Sequence, residues 1–266
     1  MNRPTALAIA TVTLLAVSNS FASSQSKPSR KVANEISAAA KNVVIVHGAF
    51  ADGSGWEGVF QILTKDGYNV TIVQNPLVSL EADVKATQDV LAGQIGPVVL
   101  VGHSYGGAVI TQAGNDPKVK SLVYVAAYVP DVGESVGDLL GQADKGVPAP
   151  PILIDGAKGI ALIDRTKFPE FFAADVDRKK AEFLAASQAP LGLPAVGAKV
   201  KAAAWKTKPS YYIVSSQDRM IPPTDERKFA AKANAVQTIE IKASHAVFIS
   251  QPAEVAKMIE TAASQL

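Results

Sequence analysis

The chain has 266 residues, which is enough for one large domain or two small ones with a sizeable core. Hydrophobic residues make up 48% and charged residues 19%, and the net charge of +2 gives no electrostatic reason to expect nucleic acid or an acidic membrane surface as a partner. Because the sequence contains no cysteine, it excludes disulfides, thiolate metal sites, a cysteine nucleophile and a cysteine-linked lipid anchor.

The N-terminal residues have the pattern of an export signal. A positive charge at Arg3 precedes a mostly apolar run over 6–17, and the small residues Ser20 and Ala22, on either side of Phe21, fit a signal peptidase site. We expect a signal peptide over residues 1–22, export to the periplasm or secretion, and a linker over 23–41. The apolar run is shorter than the ~20 residues that span a bilayer, so no stable membrane anchor is expected.

Strand and helix patterns alternate from residue 42 onward. Apolar, β-branched runs predict strands at 42–46, 70–73, 98–101, 121–127, 211–214 and 238–242. The intervening stretches predict helices at 56–65, 80–94, 109–113, 225–234 and 253–263. This alternation is typical of βαβ units, so we predict an α/β fold. Its single domain, over 42–266, holds a mostly parallel sheet of about six strands flanked by helices.

The alternation stops over about 131–208, where we predict a cap insert. Proline and glycine are frequent around 146–151 and 190–194, and a helix is predicted over 177–187. An insert of this length is better explained as a cap than as a loop. Five aromatic side chains give it apolar surface: Phe168, Phe171, Phe172, Phe183 and Trp205. Each of them packs the cap onto the core or lines a pocket, and the sequence leaves the two roles open.

Ser104 lies between a predicted strand and a predicted helix, within Gly102-x-Ser104-x-Gly106. The spacing alone is weak evidence, but the strand before it and the helix after it predict a sharp turn that exposes the serine. Glycines flank such a serine because side chains at those positions collide with neighbouring elements. The turn also directs the N–H of Tyr105 toward negative charge formed beside the hydroxyl. Ser104 is therefore a candidate nucleophile.

A serine nucleophile needs a base, and the chain has three histidines. His103 adjoins Ser104, but adjacent side chains diverge at a sharp turn, so we expect a structural role. His47 ends the first predicted strand and is expected to pack or to orient its loop. His245 follows the last predicted strand, in a loop that can reach the carboxyl edge of the sheet, and is the candidate general base.

Asp218 is the candidate acid that orients the base, because it follows the strand over 211–214 on the same edge. Its competitor, Asp225, follows two prolines at a predicted helix start, where a carboxylate stabilises the helix dipole. The three candidate residues thus occur along the chain in the order Ser104, Asp218, His245.

The negative charge that develops on the substrate oxygen during attack by the serine is stabilised by two backbone N–H donors. The N–H of Tyr105 is the first, and the loop after the first strand supplies the second, which we assign to Ala49. A glycine at position 48 lets this loop approach a substrate closely. Glycine-rich phosphate loops are absent from the sequence, so no nucleotide cofactor is expected, nor is a metal.

With these residues identified, the chain from about Asn42 resembles the α/β-hydrolase superfamily. The segments 46–50 and 101–107 and the loops of Asp218 and His245 carry the resemblance. It looks most like the branch of small bacterial esterases, plant methylesterases and plant hydroxynitrile lyases. The resemblance implies the α/β-hydrolase fold and a serine hydrolase that cleaves an ester through an acyl-enzyme, without a cofactor. From the uncharged cap aromatics and the low net charge we expect a small to medium, largely neutral substrate. The oligomeric state stays open.

Two positions separate this chain from the lyases of that branch. The resemblance implies a threonine in the lyases where Gly48 stands and a lysine after the catalytic histidine, where this chain has Ala246. Both differences favour hydrolysis, since a lyase must stabilise a departing cyanide anion. A lyase, a C–C bond hydrolase or a cofactor-free haloperoxidase on the same site remains the alternative, as does a non-catalytic small-molecule binding protein.

Overall fold

Short apolar runs form the strands of the computed structural model, which describes residues 42–144 and 146–264. The predicted signal peptide and linker lie outside the described residues. The strands are β1 Asn42–Val46, β2 Asn69–Val73, β3 Val98–His103, β4 Val119–Val125, β5 Ile152–Asp155, β6 Ile160–Ile163, β7 Leu191–Gly192, β8 Ser210–Ser215 and β9 Gln237–Ile241. The α-helices are α1 Glu57–Lys65, α2 Leu80–Gly93, α3 Gly106–Ala113, α4 Val136–Gly141, α5 Phe168–Phe171, α6 Arg178–Ser187, α7 Leu193–Gly197, α8 Pro223–Lys232, α9 Val247–Ser250 and α10 Pro252–Ala263.

The main sheet has six strands in the order β2-β1-β3-β4-β8-β9, and every neighbouring pair is parallel. Successive side chains of a strand point to opposite faces, and β1 shows this directly. Val44 and Val46 pack in one hydrophobic core with residues of α2, α3, α8 and the cap, whereas Val43 and Ile45 pack in a second core with residues of α1 and α10. Helices therefore cover the sheet on both faces, which confirms the predicted α/β-hydrolase architecture.

The strand order creates a crevice at the carboxyl edge of the sheet. The chain passes from β1 to β2 on one side and then returns to β3 on the other side of β1. Loops that leave β1 and β3 therefore diverge, and ligands of open α/β sheets bind at such a point. The β1 loop carries Gly48 and Ala49, and the β3 loop carries Ser104.

The cap lies between β4 and β8 and contains more secondary structure than the single predicted helix. Its strands β5, β6 and β7 form a small antiparallel sheet, in which the turn after Asp155 joins β5 to β6. The sequence did not indicate these strands because they are short and partly exposed, which leaves no clear apolar alternation. The predicted helix over 177–187 is observed as α6. Within the described ranges, no helix has the length and apolar character that crossing a membrane requires.

Candidate active site

Ser104 occupies a strained turn directly after β3. Its φ angle is +52°, in the left-handed region that non-glycine residues rarely adopt. Backbone hydrogen bonds hold it there: the Ser104 N–H donates to the Val125 carbonyl (3.2 Å), and the Ser104 carbonyl accepts from the N–H of Gly107 (2.9 Å) and Tyr128 (3.2 Å). β4, the loop after it and α3 therefore hold the turn, and 8% of the serine is exposed.

The glycines around Ser104 are required by close backbone contacts. A Cβ atom at Gly102 would lie 2.7 Å from the carbonyl oxygen of Gly106, and one at Gly106 would lie 2.5 Å from that of Val46. Contacts this short with backbone atoms force the backbone apart. The glycine pattern thus reflects the tight fit of α3 between β1 and β3.

Asp218 and His245 meet at the same edge of the sheet. Nδ1 of His245 lies 2.5 Å from Oδ2 of Asp218, and both side chains are buried. Oδ1 of Asp218 accepts from the N–H groups of Met220 (2.6 Å) and Ile221 (2.9 Å), which fixes the carboxylate. Asp225 does not reach this site.

Asp225 instead begins α8 and contacts the cap. Its carboxylate pairs with Lys228 at 2.7 Å and accepts from the Asp144 N–H at 2.9 Å. Of the two carboxylates that the sequence proposed, only Asp218 can orient His245.

His103 connects the Ser104 turn to the His245 loop. Its Nε2 donates to the His245 carbonyl at 3.0 Å, and the two imidazole rings lie 4.6 Å apart. Burial, together with the nearby His245, lowers the pKa of His103 well below its usual value, so the ring stays neutral. Phe172 of the cap packs edge-on against His245 at 4.9 Å, which shields the base from water. No hydrogen bond joins the Ser104 hydroxyl to the His245 ring within the described part of the chain, and such bonds often tighten only when substrate binds.

The two predicted backbone donors lie on either side of the crevice. A Cβ at Gly48 would lie 2.8 Å from the Cβ of Ser104, so the β1 loop passes directly beside the serine. The N–H groups of Ala49 and Tyr105 donate to no backbone acceptor among the described residues. Both are therefore available to a ligand oxygen.

His47 orients the β1 loop, as expected. Its Nδ1 donates to the Gly48 carbonyl (2.9 Å), and its Nε2 accepts from the Asn75 N–H (2.9 Å). The Asn75 side chain returns a hydrogen bond to the His47 carbonyl at 2.8 Å. Burial lowers the pKa of His47, so the neutral tautomer that these bonds require is favoured.

Sequence reasoning missed Asp83, which holds Tyr105, the second of the two predicted backbone donors. This fully buried carboxylate accepts from the Tyr105 hydroxyl at 2.6 Å and from the Leu77 N–H at 2.7 Å. Burial raises the pKa of Asp83. The Leu77 carbonyl in turn accepts from Gly192 of β7 at 2.7 Å, so Asp83 links the cap to the Ser104 turn. Its signal was an acidic residue on the apolar face of α2, beside Val84.

Glu226 was missed for the same reason. It is fully buried on the inner face of α8, next to Phe229 and Ala230, and its Oε2 accepts from the Ser215 N–H at 2.9 Å. Helical spacing placed this glutamate with apolar neighbours in the sequence, which marks a carboxyl directed into the core.

A cavity of about 890 Å³ opens between the cap and the loop of Asp218. Its apolar lining includes Leu139, Leu140, Val147, Phe171, Ile221 and Phe229. Asp218 and Tyr128 border it, whereas Ser104 is not among its lining residues. Among its charged lining residues, Arg219 pairs with Glu170 at 2.9 Å and Asp225 pairs with Lys228 at 2.7 Å, whereas Asp144 accepts hydrogen bonds from Gly146 and Thr224. The size lies within the ~300–1,000 Å³ of small-molecule sites.

The five cap aromatics divide between packing and lining roles. Phe168 and Phe172 are buried and stack on each other at 4.6 Å. Trp205 donates its Nε1–H to the Pro130 carbonyl, and Phe183 is 60% exposed. Only Phe171 among the five lines the large cavity. In the described residues, His, Asp and Glu side chains form no cluster that could bind a metal.

Comparison with known proteins relates the whole described domain to one family. The model of the alpha/beta hydrolase family matches residues 43–258. The chain is 26% identical over 246 residues to alpha/beta hydrolase nvfD of Aspergillus novofumigatus, covering 84% of this chain and 96% of that protein. It is 37% identical over 116 residues to a carbendazim hydrolyzing esterase of Nocardioides, covering 38% and 48%. The crystal structure of polyneuridine aldehyde esterase superposes with a TM-score of 0.72 at 21% identity, covering 84% of this chain and 98% of that one, a likeness of fold.

Proposed function

The chain belongs to the alpha/beta hydrolase family, and from the geometry of its site we propose that it is a serine esterase. The observation that carries the proposal is the buried 2.5 Å contact between His245 and Asp218, at the sheet edge where the strained turn presents Ser104. A neutral imidazole oriented by a carboxylate is the base that a serine hydroxyl needs near neutral pH.

Acylation begins when Nε2 of His245 takes the proton of the Ser104 hydroxyl. The Ser104 oxygen forms a bond to the ester carbonyl carbon, and the carbonyl π electrons move onto its oxygen. The tetrahedral intermediate then collapses, the carbon–alkoxy bond breaks, and His245 gives its proton to the leaving alcohol. Asp218 stabilises the imidazolium that exists between these two steps.

Ala49 and Tyr105 supply the N–H groups that bind the negative oxygen. Preorganised donors of this kind contribute on the order of 3 kcal/mol each to the transition state. In the second half of the reaction His245 deprotonates a water, which attacks the acyl carbon and releases the acid. The proton returns to Ser104, and no cofactor takes part.

We infer a small to medium, largely neutral ester as the substrate. The cavity is mostly apolar, and Arg219, the one cation among its described lining residues, pairs with Glu170, so an anionic ligand would gain little there. Relatives whose names include a carbendazim hydrolyzing esterase and a polyneuridine aldehyde esterase support ester hydrolysis in general. Gly48 and Ala246 stand where the resemblance implies a threonine and a lysine in the lyases, and they support hydrolysis over cyanohydrin cleavage.

A fluorophosphonate probe tests the activated serine without knowledge of the substrate. We expect stoichiometric labelling of the wild type, loss of labelling in Ser104→Ala and His245→Ala, and full labelling in Ser264→Ala, a control on the exposed end of α10. Short-chain p-nitrophenyl esters and a cyanohydrin are then compared as substrates. Labelling with turnover of the cyanohydrin alone would favour a lyase, and a folded wild type that stays unlabelled would favour a binding protein.

We also propose that the enzyme acts outside the cytoplasm, on the basis of the export signal in residues 1–22. Expression of the whole chain should yield a processed protein in the periplasm or medium. N-terminal sequencing of that protein locates the cleavage site, and an unprocessed protein in the cytoplasm would contradict the proposal.

A further inference from the structure

A second buried carboxyl lies close to Asp218, the proposed acid of the triad formed with Ser104 and His245. Glu226 is fully buried, although carboxylates are almost never fully buried without a partner of opposite charge. Its position is set by the end of β4, which pairs with β8 only as far as Val125 opposite Ile213. The next N–H on that side of β8 belongs to Ser215, and Oε2 of Glu226 accepts its hydrogen bond at 2.9 Å.

The other oxygen of Glu226 lacks a donor, and a second carboxyl lies close to this side chain. Oε1 is buried and accepts no hydrogen bond from the described residues, and the carboxyl of Asp218 lies within hydrogen-bonding reach of the Glu226 carboxyl. Two ionised carboxylates hold only acceptors, so they cannot bond to each other. The contact becomes a hydrogen bond when one of the two carries a proton.

The surroundings decide which carboxyl carries that proton. Asp218 accepts hydrogen bonds from two backbone N–H groups and from His245, so its oxygens already serve as acceptors for three donors. Glu226 accepts from one N–H, and its burial together with the negative charge of Asp218 raises its pKa well above the usual value.

The other groups around Glu226 do not offset this effect. Arg227, the neighbouring cation, points to the surface and forms an ion pair with Glu240 at 2.6 Å. The phenols of Tyr128 and Tyr212 also lie near Glu226, and burial raises the pKa of both. Among the described residues, no buried cation pairs with Glu226 to keep it ionised.

We propose that Glu226 is a protonated carboxylic acid that donates a hydrogen bond to Asp218 and so positions this aspartate for His245. Its catalytic consequence rests on the proposed function, in which Asp218 orients the base. The acid holds the Asp218 carboxylate through this hydrogen bond, and its neutrality avoids a second negative charge beside the pair of Asp218 and His245. Glu226 acts as a positioning residue, since it acts through Asp218.

The pH dependence of the unfolding equilibrium tests whether Glu226 carries a proton, independently of any esterase activity. An unfolded glutamate ionises near pH 4.5, so unfolding of the wild type above about pH 5 releases the proton of Glu226. Relative to Glu226→Gln, the unfolding equilibrium constant of the wild type should rise about tenfold per pH unit up to the folded pKa. Glu240→Gln is the matched control. Arg227 lowers the pKa of Glu240, so its stabilisation is lost only as pH falls below about 4.5, and the curves of this variant and the wild type should run parallel above pH 5.

Steady-state kinetics then test whether Glu226 positions Asp218. Glutamine keeps a donor for Asp218 and an acceptor for Ser215, so Glu226→Gln should keep kcat within about threefold and preserve the pH profile. Glu226→Met keeps the volume without the donor, and should lower kcat more than about tenfold at unchanged KM and shift the acid limb of kcat/KM.

Parallel stability curves for the wild type and Glu226→Gln would show an ionised Glu226 and overturn the proposal. A normal kcat and pH profile in Glu226→Met would leave Glu226 a purely structural acid and overturn its positioning role.

Discussion

Polar side chains are buried and hydrogen-bonded at the carboxyl edge of the sheet, whereas charged side chains lie at the surface in the cap. At the edge, His47, Asp83 and His103 are buried, and each is hydrogen-bonded to the backbone or side chain of another element. In the cap, charges stay at the surface, as in the ion pair of Arg178 and Glu182, whose side chains are 71% and 55% exposed. The edge is therefore a fixed network, and the cap is a covering attached to it.

This difference predicts where substitutions act. Removing one partner of a buried hydrogen bond leaves an unsatisfied group and typically costs ~1–3 kcal/mol, whereas an exposed ion pair contributes about 0–1 kcal/mol. Edge variants should lower kcat because they disturb groups that act in the transition state. Cap variants should change KM, because they alter the cavity and leave the reacting groups in place.

The largest effect is expected when the two candidate aspartates are compared. Asp218→Asn removes the charge that fixes the His245 tautomer, so kcat should fall about 10⁴-fold. Asp225→Asn changes a contact between α8 and the cap, and kcat should fall less than about threefold. Steady-state kinetics with a p-nitrophenyl ester measure both. Equal losses in the two variants would remove the distinction between edge and cap.

Next is a pair of glycine variants, one from each region. The added Cβ in Gly48→Ala would lie 2.8 Å from the Cβ of Ser104, so the Ala49 donor must move and kcat should fall about 10²–10³-fold. Gly197→Ala is the cap control, since its Cβ would have open space around it. Its kcat should stay at the wild-type value. A Gly48→Ala enzyme of normal kcat would show that the β1 loop does not supply a donor.

Acid sensitivity should also arise at the edge, which holds all three histidines. His103 stays neutral in the folded protein because its pKa lies well below the usual value, whereas the unfolded chain binds a proton below about pH 6.5. The unfolded state then binds more protons, so the free energy of unfolding should fall by about 1.4 kcal/mol per pH unit as pH drops from 6.5 toward the folded pKa.

Urea titrations at several pH values measure this dependence. His103→Gln, which keeps an N–H donor for the His245 carbonyl, should show a shallower fall by that amount. The cap should contribute little in this range, because the sequence over 131–208 contains no histidine and Lys199 holds the pKa of Asp138 at about 2. Identical slopes in the wild type and His103→Gln would contradict a buried neutral imidazole.

The smallest effect is expected within the cap itself. Phe171→Ala removes part of the cavity wall, and KM for an ester with a large apolar group should rise roughly tenfold at nearly constant kcat. Phe183→Ala, on the exposed face of α6, should change neither constant. If both variants behave like the wild type, the substrate occupies another part of the crevice.

The sequence predicted the strands and helices of the core because their signals are local. The run before Ser104 and the glycines around it predicted β3, the turn and α3, and close backbone contacts at Gly102 and Gly106 account for that pattern. The cap was predicted only as an insert with one helix. Its short strands β5 to β7 pair with each other at partly exposed positions, which leave little periodicity to read.

The strands, the turn of Ser104 and the preference for Asp218 over Asp225 could be predicted from the sequence, because their signals lie within a few neighbouring positions. The contact between Asp218 and His245 is visible only in the folded chain. The tertiary structure also decided that Asp83 and Glu226 are buried behind the site. These facts depend on contacts between elements far apart in the chain, and burial at such contacts determines which carboxyl stays charged and which takes up a proton.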